Sequence, residues 1–90
     1  MEAVRYERID FKVCEDVEFL KIIRPDGDED MVYPFKYQPI KVSYDEEGIE
    51  TIEPIGREEI HCRYTPDFTG EATIEFHGAK MSTLELNVLP

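Results

Sequence analysis

Apolar side chains recur at every second position over much of this chain, and that spacing constrains its fold more than any other feature. Glu59-Ile60-His61-Cys62-Arg63-Tyr64 alternates cleanly, breaks at Thr65-Pro66-Asp67-Phe68-Thr69-Gly70, and resumes as Glu71-Ala72-Thr73-Ile74-Glu75-Phe76. Successive side chains of a strand point to opposite faces, so Ile60, Cys62 and Tyr64 share a buried face, as do Ala72, Ile74 and Phe76. After Gly78-Ala79-Lys80 the pattern returns with Leu84, Leu86 and Val88 inward and Thr83, Glu85 and Asn87 outward. The C-terminal third is therefore expected to be an antiparallel meander of three strands.

The same reading covers the rest of the chain. Ile9, Phe11 and Val13 share one face of an opening strand, whereas Val17 to Ile23 is apolar on both faces and suits a central position. Pro25-Asp26-Gly27-Asp28 supplies a turn, with Pro presetting φ and Gly accepting positive φ. Tyr33, Phe35 and Tyr37 share a parity, but Pro34 and Pro39 each remove a ladder donor, which assigns this segment to a sheet edge. Ile40, Val42 and Tyr44 alternate up to Asp45-Glu46-Glu47-Gly48, a hairpin loop, and a weaker strand follows from Ile49 to Ile55. No segment carries a 3.6-residue period with an N-cap, so no helix is expected. Short strands every 8–12 residues or so predict an all-β, immunoglobulin-like antiparallel β-sandwich of seven to eight strands, in a single domain over residues 1–90.

Charge narrows the partners. Twenty-one acidic residues against ten basic ones leave a net charge of −11, spread along the chain, which repels phosphate backbones and anionic membranes. Nucleic acid is excluded on this ground, and no apolar run approaches the roughly 18 residues that insertion into a bilayer requires. The N-terminus Met1-Glu2-Ala3-Val4-Arg5 lacks the features of a secretory signal. The chain is expected in the cytoplasm if it is a whole protein, and in no assigned compartment if it is a domain of a longer one. Cys14 and Cys62 fall on expected strands, where either a bridge between sheets or two buried free thiols would fit.

Ile60-His61-Cys62-Arg63-Tyr64-Thr65-Pro66-Asp67-Phe68-Thr69-Gly70-Glu71 resembles a pattern shared by several immunoglobulin-like modules: a strand ending in an aromatic, then x-Pro, a few residues, Gly, and a second alternating strand. It is similar to the Ig-like accessory domain that precedes the catalytic barrel of some bacterial glycoside hydrolases, with Tyr6-Glu7-Arg8-Ile9-Asp10-Phe11 loosely matching the first strand of that family. Ala72-Thr73 stand where that family tends to carry Trp and an aromatic. Filamin-type repeats share the corner and a closing strand like Leu84-Glu85-Leu86-Asn87-Val88. The resemblance covers about a third of the chain and implies the fold class; neither family's activity is carried over.

Three groups of residues are candidates for a site. Asp26, Asp28 and Asp30 alternate in an acidic turn whose oxygens suit calcium, although an EF-hand would need Gly and Glu where Met31 and Tyr37 stand. Solvated acids that discourage edge-to-edge pairing are the plainer reading. Tyr33, Phe35 and Tyr37, with Tyr44, are suited to present an aromatic strip to a sugar or peptide, or else to fill the core. His61 and His77 are expected to face outward on neighbouring strands near Glu75, where two histidines and an acid suit a metal but ordinary solvated surface is the plainer reading. No phosphate loop, nucleophile elbow or recognisable carboxylate pair is present. The expected role is a non-catalytic accessory or interaction module that packs against or spaces another protein domain or subunit, with a carbohydrate-acting system as one setting. The rival is a carbohydrate- or calcium-dependent ligand-binding module.

Overall fold

The alternating segments become ten strands, with no helix, in a computed structural model that describes every residue from Met1 to Pro90. They are β1 (Glu2–Val4), β2 (Ile9–Val13), β3 (Val17–Ile23), β4 (Glu29–Val32), β5 (Phe35–Tyr37), β6 (Ile40–Tyr44), β7 (Glu50–Pro54), β8 (Glu59–Tyr64), β9 (Gly70–Gly78) and β10 (Ser82–Leu89). Ten is two more than the alternation predicts. The additions, β1 and β4, are three and four residues long, too short for a period of two to stand out. No helix is long and apolar enough to cross a membrane.

The strands form a five-stranded sheet in the order β1-β10-β9-β3-β4, a three-stranded sheet β2-β8-β5, and a separate two-stranded hairpin β6-β7. All pairings are antiparallel except β1 with β10, which run parallel and bring the two ends of the chain together. The expected C-terminal meander is thereby corrected. β9 and β10 do form a hairpin, but β8 belongs to the other sheet, because the corner from Thr65 to Thr69 carries the chain across the core. The expected edge position of the Pro-flanked segment holds, since β5 ends the small sheet.

One apolar cluster draws on both larger sheets. Leu20 and Ile22 of β3, Ile74 of β9, Leu86 of β10 and Cys62 of β8 have no exposed surface, and Ala3, Val13, Val32, Ala72 and Val88 complete the cluster. Burying a side chain of the Leu or Ile kind contributes about 1.5–3 kcal/mol, which is why these alternating positions dictate the pairing. Phe11 meets Phe76 edge-on across the two sheets, with ring centroids 6.4 Å apart. The two-faced apolar character of β3 also has a cause. It lies inside its sheet, between β9 and β4, and Phe19 on its outer side is covered by the His77 ring stacked at 4.5 Å.

Gly78 of β9 pairs with Val17 of β3 beside an irregularity in the register between Val17 and Phe19. A Cβ on Gly78 would lie 2.1 Å from the Asp16 carbonyl oxygen, so only glycine fits there. The body that results is thin. Eleven of 90 residues are buried, and the molecule measures 55 × 34 × 17 Å.

Candidate functional site

The small sheet turns Ile60 and Cys62 toward the core, and its outward row is therefore Glu59, His61 and Arg63 of β8. β5 pairs Phe35 with His61 and Tyr37 with Glu59, which puts both aromatics on that outer face. The core alternative for these two residues is corrected by this register. The Tyr37 and His61 rings lie 4.6 Å apart, Phe35 lies 6.2 Å from His61, and the Arg63 guanidinium sits 4.8 Å over the Phe35 ring. Charges finish the row. Glu59 contacts His61 Nε2 at 3.1 Å and Lys12 Nζ at 3.1 Å, and these hydrogen bonds, His61 first, hold its pKa below the usual carboxylate range. Arg63 Nε donates to Asp10 Oδ1 at 2.8 Å.

Tyr33, just before β5, is 67% exposed. Tyr44 lies on β6, outside the small sheet, so the four aromatic candidates occupy two separate places. His61 and His77 are likewise divided between the sheets, each bound to the glutamate two residues before it. The expectation that they sit on neighbouring strands fails for the same reason as the meander.

The acidic turn also divides. Asp26 Oδ1 accepts the Asp28 N–H at 3.0 Å, an Asx turn that closes the loop locally. Asp30 instead pairs with Ile22 in the ladder and faces inward, where its Oδ2 accepts the Tyr64 hydroxyl at 2.5 Å and Arg24 Nε at 2.9 Å. Arg24 also reaches Asp67 Oδ1 at 2.5 Å and lies 5.4 Å over the Phe68 ring. This bridge ties β4 to the end of β8 and its corner. Burial opposes ionisation of Asp30, but the hydrogen bonds from Tyr64 and Arg24 outweigh it and leave the carboxyl below its ordinary pKa. Desolvation first, then the bond to Asp30, pushes the Tyr64 phenol well above its ordinary value. Asp26, Asp28 and Asp30 thus do not converge, and no three His, Cys, Asp or Glu side chains lie close enough to hold a metal ion.

The cysteines do not bridge. Cys62 is buried, with its thiol pKa raised by desolvation, whereas Cys14 lies just beyond β2 and is exposed, against the expectation of a strand position.

The most unusual surface is the β6-β7 hairpin. Its strands pair only with each other, and all ten of their residues are exposed. The register sets Ile40 opposite Pro54, Val42 opposite Ile52 and Tyr44 opposite Glu50, while Lys41 faces Glu53 and Ser43 faces Thr51. Directly opposed residues share a face, so one side of the hairpin is apolar apart from Glu50 near the tip, and the other is polar. On the apolar side Ile40 is 50%, Val42 43%, Tyr44 68% and Ile52 58% exposed. The tip is well formed: Gly48 has φ 80°, and Asp45 Oδ1 accepts the Glu47 and Ile49 N–H groups, each at 2.9 Å. At the root, the Gln38 side-chain amide donates to the Pro39 carbonyl at 3.0 Å.

At the same end of the small sheet as that root, an open cleft of about 670 Å³ lies between the β2–β3 and β9–β10 connections. Val13, Val17, Phe76 and Met81 give it an apolar floor, with Lys12, Lys80 and Cys14 also lining it. Sequence reasoning missed this cleft, because its residues come from strand ends and two loops that carry no pattern of their own. No family model, curated protein or solved structure matches the chain.

Proposed function

We propose that this chain is a non-catalytic, immunoglobulin-like sandwich module that docks another protein domain or subunit through the β6-β7 hairpin. The observation that carries this reading is the hairpin itself, an amphipathic two-stranded element whose strands pair only with each other and whose apolar residues are exposed. An isolated hairpin is marginal in water, and a contiguous exposed apolar face marks an interaction site. Strand connectivity supports the immunoglobulin-like part. In such sandwiches strands B, E and D share one sheet and G, F and C the other, and here β2-β8-β5 and β10-β9-β3 repeat those orders, with β4 in the C′ place. In that correspondence the hairpin is an insertion between strands D and E.

The test is residue-specific photocrosslinking in the native host. A photoreactive side chain at Val42 or Tyr44 is expected to give a discrete protein adduct, and one at Ser43, on the polar side, is expected to give little. Adducts formed equally from both sides, or only from positions outside the hairpin, would remove the hairpin from the proposed role.

A further inference from the structure

Resting on the hairpin as docking element, we propose that its occupant is a second copy of this chain: each hairpin seats its apolar face over the partner's cleft, giving a closed two-fold dimer. Position comes first. The hairpin leaves after Tyr37 and returns before Glu59, and the next ladder position joins Lys36 and Val13 to Ile60. Val13 also lines the cleft, so hairpin root and cleft lie at one end of the molecule. Two copies meeting at that end each present one arm and one acceptor. The contact is isologous and closes on itself, and once one arm is seated the second docks at high effective concentration.

Chemistry matches as well. Lys41 and Glu53 oppose each other on the polar side of the hairpin, and Asp45, Glu46, Glu47 and Glu50 leave a net charge of −4 at its tip and the adjoining end of the apolar side. The cleft offers Val13, Val17, Phe76 and Met81, with Lys80 and Asp16 at its edge and Lys12 already paired with Glu59, so Lys80 is the cation it presents in a chain that totals −11. Lys80 makes no ion pair within its own chain. The like charges of the two bodies are screened beyond about 8 Å at physiological salt, while Lys80 and the hairpin carboxylates act at contact range.

The exposed Cys14 in the cleft provides the test, since Cys62 is buried and does not compete. Wild-type protein is expected to sediment at twice the monomer mass as concentration rises from micromolar to millimolar, and Val42→Asp is expected to abolish that doubling with an unchanged circular dichroism spectrum. Under oxidised glutathione, Tyr44→Cys is expected to give a disulfide-linked dimer that disappears when Cys14→Ser is added, with several-fold less from Ser43→Cys. Three results would overturn the assignment. A monomer at every concentration rules out the second copy, and a dimer that survives Cys14→Ser indicates hairpin against hairpin. An intramolecular disulfide means the arm folds onto its own cleft. A monomeric chain whose hairpin still crosslinks to a different protein would overturn self-association and leave the docking role standing.

Discussion

At the scale of single residues, the most consequential side chain is Asp30, which the acidic surroundings disguise. Read along the chain it is one of three alternating aspartates, yet it faces inward and accepts two hydrogen bonds from Arg24 and Tyr64. Its folded-state pKa is lowered, so the stability it contributes is complete above its unfolded value of about 3.9 and is lost as pH falls through the folded value. A hydrogen bond to a charged group contributes about 1.5–3 kcal/mol, so Tyr64→Phe is expected to lower stability by about 1.5 kcal/mol at neutral pH. Chemical denaturation repeated along an acid series is expected to show the difference shrinking as pH falls through the folded value, where the carboxylate that accepts the bond is lost. Gly78 offers a steric test of the β3–β9 approach. Gly78→Ala forces a Cβ against the Asp16 carbonyl, and overpacking against backbone is expected to cost about 3 kcal/mol, read as a fall in the denaturation midpoint.

Among the elements, legibility divides along one line: alternation reports which residues need cover, and it does not report what covers them. β8 and β9 are plain in Ile60-His61-Cys62 and Ala72-Thr73-Ile74, but the register that separates them into two sheets depends on long-range pairing. Phe35 and Tyr37 visibly share a face, yet only pairing with His61 and Glu59 decides that it is the outer one. β4 escapes notice because Glu29-Asp30-Met31-Val32 carries two acids in four residues, one of them turned inward. β6 and β7 are legible as strands, but their expected burial has no counterpart in the chain, and the cleft between the β2–β3 and β9–β10 connections has no sequence signature at all. The hairpin should therefore be separable. Tyr37 and Glu59 are directly paired, so replacing residues 38–58 with Asn-Gly closes the gap as a two-residue hairpin. The shortened chain is expected to keep its strand spectrum and to melt within a few degrees of the parent at low micromolar concentration. Val42→Asp is expected to change monomer stability by less than about 0.5 kcal/mol, as for other exposed positions.

For the whole molecule, shape is the telling property. The radius of gyration is 16.7 Å, against about 12 Å for a compact chain of this length. A thin shared core stabilises the body, and the hairpin extends beyond it with an apolar face and acidic loop in need of a partner. Amide hydrogen exchange on the intact chain tests that account most directly, since exchange resolves local opening element by element. In dilute solution the amides of β6 and β7 are predicted to exchange orders of magnitude faster than those of β3 and β9, and to gain protection as concentration rises. Protection of the hairpin equal to that of β9 at every dilution would mean that it already packs against its own chain, and would contradict the account.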